Sequence, residues 1–289
     1  MRRPLVLLAL LTTGCLQRTL PKDTTVETTF PTTPRATTLP HQLRVVTFNV
    51  HGQTAAHIAG ALASDRNLRD ADVIIMEEIH RDESQLSVCS GACGLGKELG
   101  FYSVYAPGHA VGNGSDGVAI VARAPITSAQ VIELPFFNVH ANSGRRVALA
   151  ATIALDGKPL TIYAVHLDNR LSVHDRKAQM TPVLEHARRQ STPVIIAGDF
   201  NTSPFTWIAH VIPILTNTQD DRLEELVRKY GFATPVAGSG ATSRFIGMKL
   251  DAIYTRGFTT ADFATSNARD ISDHMALWAT MQPLTAAAD

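Results

Sequence analysis

The chain has 289 residues, 45% hydrophobic and 18% charged, with 26 basic residues against 26 acidic ones. That composition excludes a disordered chain, and the zero net charge excludes a protein held to nucleic acid mainly by a broad basic surface. The balance is uneven: five basic and two acidic residues precede His41, so residues 41–289 carry 21 basic and 24 acidic groups, a net of −3.

Met1-Arg2-Arg3 is a basic start, Leu5 to Leu11 is a short apolar run, and Thr12-Thr13-Gly14-Cys15 follows. The order is that of a secretory signal over residues 1–15. Cys15 after Gly14 resembles a bacterial lipobox, although Thr12 stands where Leu is usual. Cys15 is therefore read as a lipidation site, with ordinary signal cleavage as the alternative. Residues 16–42 read as a disordered linker, because residues 19–40 hold nine Thr and four Pro. Such a segment buries too little apolar surface to offset its ordering entropy. The expected location is outside the cytoplasm: in the bacterial envelope as a membrane-anchored lipoprotein, or periplasmic or secreted.

Along the rest of the chain, apolar β-branched runs predict strands at Leu43–Val50, Val73–Met76, Gly117–Ala122, Arg146–Leu155, Leu160–His166, Val194–Ala197 and Leu250–Tyr254. Helical patterns lie at Ala55–Ser64, Asp175–Arg189 and Asp220–Tyr230; the second carries Met180, Val183, Leu184 and Ala187 on one stripe. Asp156-Gly157 between two strand patterns predicts a hairpin. Gly108–Gly117, with four glycines, reads as a mobile loop of the kind that rims a site. Cys89 and Cys93 are spaced for a small disulfide loop in an oxidising compartment, with two free thiols or a zinc site as alternatives. Trp207 and Trp278 are expected in the core, Arg188-Arg189 on a solvated helix face, and His51, His109 and His140 on the surface or in loops.

The informative residues are polar groups that end apolar strands. Asn49 follows Val45-Val46-Thr47-Phe48, Glu77-Glu78 follow Val73–Met76, His166 follows Thr161–Val165, and Asp199-Phe200-Asn201 follow Val194–Gly198. Asp251 sits inside an apolar run, and Ser272-Asp273-His274 precedes a last one. One such residue alone is ordinarily a cap or a turn. Six together predict one cluster, since strand ends on one edge of a sheet converge. The period of two puts Asp199 and Asn201 on one face. A buried Asp251 needs a partner, and an imidazole is the natural one.

In order and local sequence these residues resemble the endonuclease/exonuclease/phosphatase superfamily, over nearly all of residues 43–289. Thr47-Phe48-Asn49-Val50 resembles its Asn motif. Asp72–Ile79 resembles its metal-binding strand, with Glu78 as ligand and Glu77 where Gln is common. Arg146–Leu149 resembles a phosphate-facing strand start, for which a merely solvated Arg145 or Arg146 is the plainer alternative. Ala164–Leu167, Gly198–Asn201, Leu250–Tyr254 and Ser272–His274 complete the series. The resemblance implies a catalytic domain over 43–289, folded as a four-layer α/β sandwich with two packed mixed or antiparallel sheets flanked by helices.

It also implies hydrolysis of phosphoesters with a divalent metal, Mg²⁺ first and Mn²⁺ or Ca²⁺ as alternatives. Asn49, Glu78 and Asp273 are the expected metal ligands. His166, Asp199, Asn201, Asp251 and His274 are the expected catalytic group, and Arg146, Asn201 and His166 the expected phosphate contacts. His166 is similar to the nucleases, sphingomyelinases and inositol phosphatases of the superfamily, whereas its abasic-site repair enzymes carry Tyr. The expected substrate is a phosphodiester of the nuclease type, with a lipid or small-molecule phosphoester second. A tethered binding protein on the same fold is the third reading. A monomer is expected, meeting the membrane only through its N-terminal lipid. The only aromatic pair suited to a bilayer is Phe136-Phe137, and it could equally be core.

Overall fold

The computed structural model describes residues 26–84, 89–139, 144–244, 247–267 and 271–284, together with the backbone of Arg18–Thr19. Cys15 and His140 lie outside the described residues. In chain order the elements are β1 (Arg18–Thr19), β2 (Glu27–Thr29), β3 (Leu43–Asn49), α1 (Ala55–Ser64), β4 (Val73–Asp82), α2 (Gly91–Leu99), β5 (Tyr102–Val111), β6 (Gly114–Ala122), β7 (Ile126–Glu133), β8 (Val147–Leu155), β9 (Lys158–His166), α3 (Val173–Arg188), β10 (Val194–Asp199), β11 (Phe205–Ile208), β12 (Ile212–Leu215), α4 (Gln219–Lys229), β13 (Asp251–Arg256), β14 (Phe258–Ser266) and β15 (Ala276–Pro283).

Two large sheets form. One runs β1-β5-β6-β4-β3-β15-β14, with β2 also pairing on β5; the other runs β13-β10-β9-β8-β7. β3 with β4 and β9 with β10 are parallel, and their other neighbours are antiparallel. Period-two alternation sends Val45, Ile75 and Ile120 of the first sheet and Leu149, Ile162 and Ile195 of the second into one shared core. The opposite face of the first sheet packs on α1 and α2 through Ile58, Leu62 and Leu95. The opposite face of the second packs on α3 and α4 through Met180, Val183, Leu223 and Val227. The result is the expected α/β/β/α sandwich.

Local signals explain several boundaries. Ser172 caps α3 by accepting from the Asp175 backbone amide. The turn between β8 and β9 holds Asp156 and Gly157 at φ 49° and 75°, the positive pair that a two-residue hairpin needs. Helix α2 was not legible, because Gly91, Gly94 and Gly96 oppose helix formation. It forms where Ala92 and Leu95 bury against the first sheet, and Cys89 and Cys93 are bonded at its start.

Three expectations are corrected. Gly108–Gly117 is not a mobile loop: most of it is the end of β5 and the start of β6, paired from His109↔Asp116 to Val111↔Gly114. Its glycines serve close approach, since a Cβ on Gly117 would collide with the Ala106 carbonyl. The linker over 16–42 is in part structural. β1 and β2 add to the edge of β5, and Leu39 is fully buried, its amide donating to the Ala154 carbonyl at 2.7 Å. The Thr/Pro composition hid one apolar anchor and the pairing capacity of the backbone itself. Trp207 is half-buried rather than core, with the Arg170 guanidinium 5.4 Å above its ring. Trp278 is core, as expected.

Candidate active site

The strand ends do converge. Asn49, Glu78, His166 and Asp199 stand at or near the C-terminal ends of β3, β4, β9 and β10. Asp251 opens β13, directly opposite Asp199, which also pairs in register with His166. His274 enters just before β15. All lie on one edge of the two packed sheets.

Two local devices aim the side chains. A bulge between Glu77 and Ile79 gives Glu78 a positive φ of 51°. It turns the two neighbouring glutamates apart. Glu77 is fully buried and bonds the Thr47 hydroxyl; burial, then the charges of Asp251 and Asp199, push its carboxyl well above the usual range. Glu78 is left to face the site. The second device is Gly198, where a Cβ would collide with the Val165 carbonyl. Its absence lets β10 lie close to β9 and brings Asp199 beside His166.

Asp199 Oδ2 is the focus. Asn49 Nδ2 donates to it at 3.1 Å, and His166 Nε2 and His274 Nε2 lie 3.6 and 3.7 Å away. Asp199 Oδ1 accepts from the Asn201 amide at 2.8 Å. Asn49 Nδ2 also donates to Glu78 Oε1 at 3.0 Å, so one amide bridges two carboxylates. His274 Nδ1 sits 2.9 Å from Asp251 Oδ2, which points the other ring nitrogen at Asp199. Asn201 holds the loop: its Nδ2 donates to the Leu167 carbonyl at 2.9 Å. That bond engages one of the two N–H donors of the amide expected to touch phosphate.

Arg145 and Arg146 diverge because neighbours on an extended chain point to opposite sides. Arg145 turns away to Glu133 and to the Pro107 carbonyl. Arg146 faces the site, its Nε donating to Asp168 Oδ1 at 2.7 Å and its Nη1 lying 3.1 Å from His166 Nδ1. Asp168 was not anticipated. It is fully buried, accepts from Gln179 Nε2 at 2.7 Å, and fixes the arginine. The legible signal was an acid two residues past His166 with two arginines needing a partner.

His51 was also missed as a site neighbour. It is exposed, yet its Nδ1 lies 3.2 Å from Glu78 Oε2 and 3.8 Å from Asp273 Oδ1. Asp273 is 41% exposed, and that imidazole stands between it and Glu78. His109 is buried rather than on the surface, and lines a cleft with Glu78, Asp116, Arg146 and His166.

Electrostatics follow from this crowding. Burial raises Asp199 to about 7, the Asp251 charge adding to the rise and His274 opposing it. Burial alone would lower His274; the Asp251 and Asp199 carboxylates outweigh it and push the imidazole up to about 11. Burial opposes ionisation of Glu78 too, but the His51 hydrogen bond and the neighbouring His166 and Asn49 hold it well below the usual range. His166 is driven well down by burial and by Arg146. The pair Asp199 and His274 titrates as a unit.

Burial first, then Arg146, lower His109 to about 3. The unfolded chain binds a proton there near pH 6.5 and the folded chain does not, so this group destabilises the fold as pH falls from about 6.5 toward 3. The loss should reach about 2 kcal/mol by about pH 5. Urea denaturation of the protein and of His109→Gln across this range measures it. Identical pH slopes in the two would reject the assignment.

A divalent cation fits this donor set. Glu78, His166 and Asp199 each present a ligand atom within 4.8 Å of the others, as do Asp199, Asp251 and His274. Asp251 Oδ1 is buried without a hydrogen-bond partner among the described residues. The carboxylate oxygens of Glu78 and Asp199 suit Mg²⁺ or a similar ion, whereas the oxygen of Asn49, the other expected ligand, accepts from the His51 backbone amide at 3.1 Å.

The family model for the endonuclease/exonuclease/phosphatase family matches residues 46–274, from β3 to the site imidazole. The chain belongs to that family. A curated relative, UPF0294 protein YE0917 of Yersinia enterocolitica, is 30% identical over 129 residues, 44% of this chain and 45% of its own. The chain thus spans under half the length of that relative. Among solved structures, an endonuclease/exonuclease/phosphatase from Beutenbergia cavernae superposes with a TM-score of 0.66 at 20% identity, covering 86% of this chain and 73% of the other. The 3′ phosphatase NExo from Neisseria, bound to a product DNA hairpin, gives 0.57 at 16%, covering 82% and 98%. These likenesses share the two-sheet sandwich.

Proposed function

We propose that the chain is a divalent-metal-dependent phosphodiesterase with nuclease-type activity. The observation that carries this reading is the convergence on Asp199 Oδ2 of Asn49, His166 and His274, with Glu78 bridged to it by the same asparagine. A phosphodiester needs an activated water, charge relief on phosphoryl oxygens and help for the leaving oxygen. Glu78 would hold the metal, with Asn49 orienting that carboxylate through its Nδ2, and the metal supplies Lewis-acid charge relief when bound. The Asp199–His274 pair takes the proton of the attacking water, and Asp251 keeps the imidazole aimed. Arg146 and His166 face the phosphoryl oxygens across the cleft, where fixed donors act in a water-poor setting. Asn201 is a positioning residue that holds Asp199 through its backbone amide.

Export, with a lipid on Cys15, belongs to the same proposal. The NExo phosphatase holds a DNA product, which supports nucleic acid as first substrate. The domain's net −3 is compatible with this, since a few donors bind one phosphoester at a time without a broad basic surface. A second reading, a phosphoester carried on a lipid, is favoured by the surface described below. Plasmid DNA, RNA, sphingomyelin vesicles and bis-p-nitrophenyl phosphate should be offered to the full chain in Mg²⁺ and in EDTA. Turnover of a diester in Mg²⁺ and none in EDTA is expected. Inertness toward all four would favour a tethered binding protein on this fold.

A further inference from the structure

The run Phe205–Leu215 forms the isolated two-stranded hairpin of β11 and β12, paired from Phe205↔Leu215 to Ile208↔Ile212. It is anchored to the site loop: Gln219 Nε2 donates to the Ser203 and Phe205 carbonyls, four residues or fewer from Asn201. Its exposed residues are apolar. Ile208, Val211, Ile212, Ile214 and Leu215 are 44–77% exposed and make up most of the large exposed hydrophobics among the described residues. Cross-strand pairing puts Ile208, Ile212 and Ile214 on one face, and Pro213 and Leu215 on the other beside half-buried Phe205 and Trp207, so both faces carry exposed apolar side chains. Residues 202–218 contain no Asp, Glu, Lys or Arg.

Those features select the occupant. A protein partner covers one face and surrounds the contact with polar anchors that set its register. A lipid phase covers both faces of a projecting blade and asks for no charge. The flank fits as well. Trp207 lies under the Arg170 guanidinium, and exposed Phe136 precedes Phe137, whose ring is 6.2 Å from that of His210. An amphipathic aromatic beside a cation is suited to headgroup depth. Arg18, three residues after Cys15 in the sequence, pairs with Ala110 at the site end of β5.

We propose that the β11–β12 hairpin inserts into a lipid surface and turns the mouth of the site toward the headgroups. The docking stands apart from turnover; its consequence, a lipid-borne phosphoester as substrate, rests on the phosphodiesterase reading. The test is fluorescence of the full chain with vesicles of phosphatidylcholine brominated on the acyl chains. Trp278 is buried, so quenching should come from Trp207 and vanish in Trp207→Phe. The double variant Ile212→Asp, Leu215→Asp should bind vesicles on the order of a hundredfold more weakly, while hydrolysing soluble bis-p-nitrophenyl phosphate at the original rate. Absence of Trp207 quenching overturns the proposal. So does a dimer, with no quenching, that the double variant dissolves, since the hairpin would then meet a second copy. Quenching without turnover of any diester supports docking and overturns the phosphodiesterase reading alone.

Discussion

His274→Ala is expected to lower kcat/KM for bis-p-nitrophenyl phosphate on the order of 10³-fold or more, and Asp199→Asn by a similar factor. That factor is about 4 kcal/mol of transition-state stabilisation. It is large because each side chain serves twice. His274 moves a proton and is the imidazolium that balances Asp199 and Asp251, which face each other in register. Asp199 accepts the proton and gathers Asn49, His166 and the Asn201 amide. Asp251→Asn is expected to act through His274, so its effect should be non-additive with His274→Ala. The pH profile of Asp251→Asn should shift as well, because the imidazole loses the carboxylate that raises it. Steady-state kinetics on purified variants, with thermal melts to verify folding, measure these effects. Near-original rates in either single variant would sink the site assignment.

Glu78→Gln is expected to remove both activity and the response to metal. Activity should fall on the order of 10³-fold. In the original chain, Mg²⁺ at about a hundred times its dissociation constant should stabilise the fold by about 2.7 kcal/mol, a rise of about 5 °C or more in melting temperature for a domain of this size. The stabilisation arises because Asp199 is shared by two clusters, one with Glu78 and His166 and one with Asp251 and His274, and Asp251 Oδ1 has no partner among the described residues. Glu78→Gln keeps the shape and the Asn49 contact but loses the charge. Differential scanning calorimetry with Mg²⁺ and with EDTA separates this from catalysis. An unchanged metal-dependent shift in the variant would place the ion elsewhere, whatever happened to the rate.

Much of the site was legible because its residues announce themselves locally. Asn49, His166 and Asp199 each stop an apolar strand, and Asp251 interrupts one. A polar group at such a place needs a partner wherever the strand goes. The pairing of Asp251 with His274 followed from that need, and the structure joins them at 2.9 Å. Asp168 and His109 were less legible, because their roles depend on Arg146 and β6 arriving from distant sequence. Asp273 is less tightly gathered than its motif position implies: its carboxylate is 3.8 Å from His51 and 41% exposed.

By itself the sequence determined the alternation of strands and helices, the polar strand ends and the family, because periodicity and turn chemistry are properties of neighbouring residues. The family resemblance singled out Glu78 over Glu77, but only the tertiary structure showed how the two part, at a bulge against β6. It alone paired Arg146 with Asp168 and turned Arg145 to Glu133, and it recruited Leu39 and β2 from a segment that looked unstructured. It alone showed that most of Ile208–Leu215 lies exposed. An apolar run reads the same in a core and on a surface, because burial depends on what packs against it, and the partners are distant in sequence.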